Sequence, residues 1–180
     1  MLVVQKFGGS SVANAERIFN VAGRIAETYD NGNSVVVILS AQGDTTDELI
    51  EKAHEINPNP SKREMDMLLS TGEQQSVALM AMALQKMGYN AISLNAAQVG
   101  IATTSVYSNA KIKSIAKERI LSELENKKIV IVTGFQGINK FDDVTTLGRG
   151  GSDTSAVAIA AALRADLCAI YTDVHGVYTP

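Results

Sequence analysis

The sequence contains few of the residues that build crosslinks or metal sites. Its single cysteine, Cys168, excludes an internal disulfide and suits a reducing cytosol. The two histidines and this cysteine are too few and too widely spaced to form a zinc site. Only three prolines occur, and there is no low-complexity tract or internal repeat, which argues against a linker or a repeat protein.

Long apolar runs and an excess of basic residues are also missing. No apolar run approaches the roughly 20 residues of a membrane helix, and the first residues carry no secretory pattern. We therefore expect a cytoplasmic protein with no membrane partner. The net charge of −3 offers no electrostatic case for nucleic acid, so we expect no nucleic-acid partner.

The remaining composition is that of an ordinary soluble domain. The 180 residues are 46% hydrophobic and 19% charged, which fits one domain or one domain plus part of another. A chain of this length hides roughly 70% of its unfolded surface on folding. It can therefore bury a substantial core.

Short apolar runs alternate with helical patterns along the chain. The runs expected to form strands are Leu2–Lys6, Val35–Leu39, Asn90–Leu94, Lys128–Phe135 and Leu167–Tyr171. Continuous apolar strands are typical of a parallel sheet that is covered on both faces. The sequence therefore predicts an α/β fold with a mainly parallel central sheet.

Several finer features follow from the same patterns. Gly72 is expected to join two helices within Lys62–Met87, and Asn109–Glu125 is expected to form one amphipathic helix. Gly137–Leu147 is interpreted as an excursion or hairpin, and the methionines as core filling. The chain stops just after a strand and a turn, so we expect a longer protein to continue beyond Pro180.

Two glycine-rich loops each carry a cation at a predicted helix start. The first is "KFGGSS", Lys6–Ser11, where Ser10 or Ser11 can cap a helix, and the second is "GRGGSD", Gly148–Asp153. A helix N-terminus presents free amides and partial positive charge, and glycine lets an anion approach them closely. The loops are therefore candidate anion sites, although each could simply be a tight turn between strand and helix.

Loops that follow parallel strands meet at one edge of the sheet, where ligands bind. Two anion sites at that edge suggest a reaction between two anions, and phosphoryl transfer to a carboxylate fits. Lys6 suits a phosphate as a point charge, whereas the planar fork of Arg149 suits a carboxylate. The P-loop, dinucleotide-binding and protein-kinase motifs are all absent.

Other polar residues near predicted strand ends have two interpretations each. Ser40, Thr45 and Thr46 could bind a ligand or cap the next helix. Glu73 could accept a substrate ammonium or simply favour a helix dipole. The segment with Thr172, Asp173 and Tyr178 could line a ligand or form an Asp-rich turn.

Six motifs in order give the chain a specific resemblance to the N-terminal catalytic region of aspartate kinases, within the amino acid kinase fold. The resemblance covers Val3–Thr179 and implies a three-layer α/β sandwich. Glutamate 5-kinase and uridylate kinase share the first glycine loop but not the second. The six motifs are "KFGGSS", "LSAQGDTTDEL", "STGEQQSVALMAMAL", "VTGFQGI", "TTLGRGGSDTSAVAIAAAL" and "YTDVHGVYT".

The resemblance implies ATP-dependent phosphorylation of the L-aspartate β-carboxylate to 4-phospho-L-aspartate, the first step of lysine, threonine and methionine biosynthesis. ATP and Mg²⁺ would be the cofactors, and a homodimer the assembly. Lys6 would neutralise the transferring phosphoryl group, and Asp153 would orient that lysine and organise magnesium-bound phosphate. No metal ligand is identified. ATP binding is assigned to Lys6, Phe7, Gly8, Gly9, Ser10, Ser40, Thr172, Asp173 and Tyr178.

The amino acid site is implied in the same way. Arg149 would hold a carboxylate of aspartate, and Thr46 and Glu73 would bind the rest of the molecule, with Glu73 near its ammonium group. Substrate binding is assigned to Thr46, Glu73, Arg149, Gly150, Gly151 and Ser152.

The members that the chain resembles continue with more of the nucleotide lobe and with ACT regulatory domains. We therefore interpret residues 1–180 as a C-terminally truncated amino acid kinase domain without ACT domains. It would hold the substrate lobe and the start of the nucleotide lobe. The alternative is a catalytically inactive aspartate-binding or assembly module.

Overall fold

The computed structural model describes residues 1–148 and 150–172. In chain order the elements are β1 (Leu2–Phe7), a 3₁₀ turn (Ser10–Val12), α1 (Ala15–Asp30), β2 (Ser34–Leu39), α2 (Thr45–Ile56), α3 (Lys62–Lys86), β3 (Ala91–Leu94), α4 (Ala96–Val99), β4 (Ile101–Thr103), β5 (Ile112–Ile115), α5 (Glu118–Glu125), β6 (Ile129–Thr133), β7 (Gln136–Ile138), β8 (Val144–Thr146), α6 (Gly151–Leu163) and β9 (Leu167–Tyr171).

The central sheet contains five parallel strands in the order β3-β6-β2-β1-β9. All five come from the apolar runs that predicted strands, so the α/β prediction with a parallel sheet is confirmed. Phe7 is in register with Leu39 of β2, and Leu39 with Thr133 of β6. Because the strands are parallel and in register, their carboxyl ends meet at one edge.

Helices cover both faces of this sheet and make a three-layer sandwich. Successive strand residues point to opposite faces, which divides the core in two. Val35 and Val37 pack with α1 and α3, whereas Val36 and Ile38 pack with α4, α5 and α6. The continuous apolar runs are therefore buried on both sides, as the pattern indicates.

A second, smaller sheet follows the order β5-β4-β7-β8. β7 and β8 form the predicted hairpin within Gly137–Leu147. The predicted helix over Asn109–Glu125 is wrong, because residues Ile112–Ile115 form β5 and only Glu118–Glu125 is helical. β5 pairs antiparallel with β4, so a tertiary pairing overrides the local helical spacing of its isoleucines.

The predicted break at Gly72 is also wrong. α3 runs without interruption for 25 residues, and Gly72 lies buried near its middle. A Cβ at this position would lie 2.9 Å from the Cβ of Ala41. The glycine therefore lets α3 pass close to the loop after β2 and does not divide the helix.

Two smaller expectations also differ from the structure. α1 is capped by Asn14, whose Oδ1 accepts from the backbone of Arg17 at 3.0 Å, whereas Ser10 and Ser11 lie in the preceding 3₁₀ turn. Among the methionines of α3, Met80 is buried as expected, but Met82 is 61% exposed. Core filling therefore describes only part of the methionine set.

Candidate active site

The loops at the carboxyl edge of the central sheet are bound to one another through their backbones. The amide of Ser40 donates to the carbonyl of Phe7 at 3.4 Å, and the amide of Gly43 donates to the carbonyl of Gly9 at 2.9 Å. The amide of Gly134 donates to the carbonyl of Leu39 at 3.0 Å. The loops after β1, β2 and β6 therefore form one connected rim.

Lys6 and Asp153 form an ion pair at this rim. Lys6 is near the end of β1 and Asp153 is in the first turn of α6, and their Nζ and Oδ1 atoms are 2.9 Å apart. The lysine side chain is only 12% exposed, whereas that of Asp153 is 51% exposed. The structure thus brings the two expected catalytic residues together, with the cation held beneath a more accessible carboxylate.

The first glycine loop lies directly beside this pair. A Cβ on Gly8 would be 3.9 Å from the Nζ of Lys6, and a Cβ on Gly9 would collide with the carbonyl oxygen of Ala41. The backbone of Gly9 has φ −62°, so its conformation suits any residue. Glycine is required here by the close approach of the two loops.

The second glycine loop leads into α6. Gly150 is the N-cap with φ 73°, a left-handed conformation that favours glycine. A Cβ on Gly151 would lie 2.6 Å from the ring of Phe135. Arg149, the residue expected to hold a carboxylate, lies outside the described residues.

Two hydroxyls connect the β2 loop to the second glycine loop. Ser40 Oγ donates to Ser152 Oγ at 2.9 Å. A Cβ on Gly134 would be 3.0 Å from Ser152 Oγ, so this glycine leaves room for the hydroxyl. Ser40, which is predicted to contact ATP, and Ser152, which is predicted to contact aspartate, are therefore direct neighbours.

A cleft of about 430 Å³ opens beside these loops. It is lined by Lys6, Ser108, Phe135, Leu147, Gly148, Gly150, Gly151, Ser152 and Asp153. A larger cleft of about 810 Å³ lies over the second sheet and contains none of the expected site residues. The smaller cleft is the candidate active site because it gathers the cation, the acid and the free amides of α6.

Glu73 lies on α3 and is only 3% exposed. Burial raises the pKa of its carboxyl to about 8, although Gln136 Nε2 donates to its Oε2 at 3.1 Å and opposes that shift. A nearby cation would remove much of the cost of ionising this group. Such a carboxyl suits contact with a substrate ammonium.

Thr46 is the second residue of α2 and is partly exposed. The N-cap of α2 is Asp44, so neither Thr45 nor Thr46 caps this helix. The capping alternative for these two threonines is therefore wrong, and the ligand-binding interpretation stays a prediction.

The expected nucleotide end is described only in part. The side chain of Phe7 is buried and stacks on Tyr171, with ring centroids 4.6 Å apart, so only its backbone could meet a nucleotide. Thr172 follows β9 and is exposed. Asp173 and Tyr178 lie outside the described residues.

Sequence reasoning missed three polar residues near the site. Gln136 holds the carboxyl of Glu73, Ser108 lines the cleft, and Asp66 binds the loop that carries Ser108. A local signal existed for Asp66, because it precedes Glu73 by two helical turns on α3. No local signal pointed to Ser108, since its loop reaches the cleft only through long-range packing.

Within residues 1–148 and 150–172, no group of three or more histidine, cysteine or acidic residues could hold a metal ion. None of the helices in this part of the chain is long and apolar enough to cross a membrane.

Comparison with known proteins identifies the family. A family model described as the amino acid kinase family matches residues 1–180. The chain is 58% identical over 178 residues to an aspartokinase of Bacillus sp. (strain MGA3), and the match covers 99% of this chain and 43% of that protein. It is 59% identical over 179 residues to an aspartokinase of Corynebacterium glutamicum, and this match covers 99% of this chain and 42% of that protein. The chain thus spans less than half the length of these relatives.

Solved structures show the same fold. Aspartate kinase from Synechocystis has 52% identity and a TM-score of 0.84, over 98% of this chain and 29% of that one. Aspartokinase III of E. coli, solved in complex with aspartate and ADP, has 26% identity and a TM-score of 0.85, over 99% of this chain and 51% of that one. Because the family model matches residues 1–180, this chain belongs to the amino acid kinase family.

Proposed function

We propose that this chain is the catalytic region of an aspartate kinase, which transfers the γ-phosphoryl group of ATP to the β-carboxylate of L-aspartate. The observation that carries the proposal is the ion pair of Lys6 and Asp153, at 2.9 Å, in a cleft beside two glycine loops. The identity of 58–59% to aspartokinases supports this choice of substrate.

The proposed reaction is a direct displacement of ADP at the γ-phosphorus of ATP. An oxygen of the β-carboxylate attacks the γ-phosphorus, and the bond from that phosphorus to the bridging oxygen breaks, leaving its electron pair on ADP. Both reactants are anions, so catalysis depends on positioning and on neutralising charge. The ammonium of Lys6 would supply that charge, and Asp153 would hold it in place.

The phosphates of ATP would lie along Gly8, Gly9 and Ser10, with Ser40 close by. The close approach at Gly9 fixes this loop against the loop after β2, so its amides are held in position before a ligand arrives. Thr172, Asp173 and Tyr178 would contact the rest of the nucleotide.

L-Aspartate would lie against the second glycine loop. Arg149 would bind one carboxylate, with the amides of Gly150, Gly151 and Ser152 at the start of α6. Thr46 and Glu73 would bind the remaining groups, and the buried carboxyl of Glu73 would accept the substrate ammonium.

Mg²⁺ would accompany the nucleotide. This ion keeps several waters and is usually held by one or two carboxylates together with substrate phosphates. Asp153 is the acidic residue among the described residues that line the cleft, so it fits an ion carried by ATP. When bound, Mg²⁺ would neutralise phosphate charge.

We also propose a cytoplasmic homodimer that acts at the first step of lysine, threonine and methionine biosynthesis, as the resemblance implies. Residues 1–180 would be the substrate lobe and the start of the nucleotide lobe. The identity to aspartokinases supports the enzyme assignment on which these further proposals depend.

Acyl phosphate trapping tests the proposal. The protein is incubated with ATP, Mg²⁺, L-aspartate and hydroxylamine, and aspartyl hydroxamate is measured against mixtures without aspartate and with the Lys6→Ala variant. We expect hydroxamate in the complete wild-type mixture, none without aspartate, and roughly 10²–10³-fold slower formation with Lys6→Ala. Calorimetric binding of L-aspartate without any hydroxamate would instead support the inactive binding module.

A further inference from the structure

Asp66 is a completely buried acid on α3 that the proposed chemistry does not use. Its relative exposure is 0%, and its carboxylate accepts four hydrogen bonds. The amides of Ser108 and Thr146 donate to Oδ2, each at 2.9 Å. The hydroxyls of the same two residues donate to Oδ1 at 3.1 and 2.8 Å. A carboxylate suits this position because it accepts all four of these hydrogen bonds and needs no proton of its own to do so.

Both partners of Asp66 lead directly to the cleft. Ser108 lines it, and Thr146 ends β8 just before the second glycine loop. The amide of Ala110 donates to the carbonyl of Thr146 at 3.0 Å, so the two segments are also joined to each other. Asp66 therefore holds two parts of the cleft wall at once.

The loop that carries Ser108 needs this support. Ser108 has φ 66°, a left-handed conformation that is uncommon for residues other than glycine. Such a conformation persists only where surrounding contacts impose it. The two bonds from Ser108 to Asp66 are contacts of that kind.

Asp66 belongs to a polar stripe on α3 that reaches the amino acid site. Asp66, Ser70 and Glu73 are spaced three and four residues apart and so share one helical face. Gln136 donates both to the carbonyl of Ser70 at 3.0 Å and to Glu73. The stripe therefore holds the second sheet, the Ser108 loop and the Glu73 carboxyl on one rigid helix.

Resting on the proposed function, we propose that Asp66 is a positioning residue, which sets the cleft wall for the amino acid substrate by holding Ser108 and Thr146. It touches neither reactant. Removing it releases the wall and lowers affinity for L-aspartate, while the first glycine loop and its nucleotide contacts stay in place.

The test compares Asp66→Ala, Asp66→Asn and Asp143→Asn in the full chain. Asp66→Ala is expected to raise KM for L-aspartate at least roughly tenfold, because small misplacements weaken a site strongly, and to change KM for ATP less than about threefold. Asp66→Asn is expected to stay within about threefold of wild type. Its amide oxygen can accept from both backbone amides, and its NH₂ group can donate to both hydroxyls once these rotate.

Asp143→Asn is the matched control. Asp143 ties the same parts together, because Arg63 of α3 contacts it at 2.7 Å and Tyr107 donates to it at 2.6 Å. Unlike Ser108, neither of these two partners lines the cleft. We expect this variant to keep KM for L-aspartate within about twofold. Equal increases in KM for Asp66→Ala and Asp143→Asn would overturn a specific role of Asp66.

Amide hydrogen exchange gives a readout that does not need turnover. Asp66→Ala is expected to lose protection at Ser108 and Thr146 by roughly tenfold or more, whereas Asp143→Asn keeps it. Unchanged protection at both amides in Asp66→Ala would overturn the proposal.

Wild-type protein without turnover would reject only the proposed function. If Asp66→Ala does not fold, Ser108→Ala is used, with an expected KM increase of roughly threefold; no increase would also overturn the proposal.

Discussion

Ser40 and Ser152 share a hydrogen bond of 2.9 Å between their hydroxyls, although 112 residues separate them in the chain. The bond joins the loop after β2 to the first turn of α6, so it connects that loop to the second glycine loop of the candidate site. Replacing each serine by alanine, singly and together, should reveal a coupling of about 0.5–1.5 kcal/mol in urea unfolding. Additive effects within error would show that the two hydroxyls do not stabilise each other.

Lys6→Ala should lower kcat by roughly 10²–10³-fold with little change in KM for L-aspartate, because the charge is needed mainly where negative charge develops during transfer. The measurement is steady-state hydroxamate formation at saturating ATP. Thermal unfolding serves as the control. The side chain of Asp153, which pairs with Lys6, is half exposed and therefore screened by solvent. The free energy of unfolding should accordingly fall by less than about 1 kcal/mol.

Arg149→Ala should act differently from Lys6→Ala. It should raise KM for L-aspartate by roughly 10–100-fold, as expected when a charge-assisted hydrogen bond to a carboxylate is lost. Arg149→Lys should recover only part of this affinity, since an ammonium cannot form the paired contacts of a guanidinium. Equal and small effects at Lys6 and Arg149 would contradict the assignment of one cation to each substrate.

Gly9→Ala should destabilise the protein by about 1–3 kcal/mol, because the added methyl group collides with the carbonyl of Ala41. Gly23→Ala is the matched control. Gly23 lies in α1, and a methyl group added there would have no atom within 4 Å, so alanine should stabilise by about 0.4–1 kcal/mol. Chemical denaturation of both variants measures the two free energies of unfolding, and the same sign for both changes would refute this account.

Glu73 should make stability fall as pH rises. Burial raises the pKa of its carboxyl from 4.5 to about 8 in the folded protein. Between these values the unfolded chain releases a proton that the folded chain keeps, so folding weakens by roughly 1.4 kcal/mol for each pH unit. Below pH 4.5 both states are protonated, and above about 8 both are ionised, so the difference is constant there.

Glu73→Gln removes this titration while keeping the shape of the side chain. Melting temperatures of wild type and variant are compared from about pH 5 to 8 without ligands. The melting temperature of the variant should rise steadily relative to that of the wild type across this range, because only the wild type loses the stability that the protonated Glu73 provides. Other titrating groups contribute equally to both proteins and cancel in the difference. A difference that does not change with pH would show that Glu73 ionises normally.

The sequence by itself determined the central sheet and much of the edge where the site lies. Apolar runs such as Val35–Leu39 favour burial on both faces of a parallel sheet, and the residues after β1 and β2 then meet at one edge of it. These strands and the loops that follow them are local signals, so they could be predicted without coordinates. The contact between Lys6 and Asp153 is implied only by the resemblance to aspartate kinases, and the structure brings the two residues together.

Only the tertiary structure decided the second sheet and the residues that support the site. Ile112–Ile115 has helical spacing, yet it becomes a strand because β4 offers a partner. Gly72 signals a break, yet α3 continues because the absent side chain admits Ala41. In the sequence Asp66 is one acidic residue of a helix. In the structure Ser108 and Thr146 donate four hydrogen bonds to its carboxylate. Each outcome depends on contacts between residues distant in the chain, which no local pattern encodes.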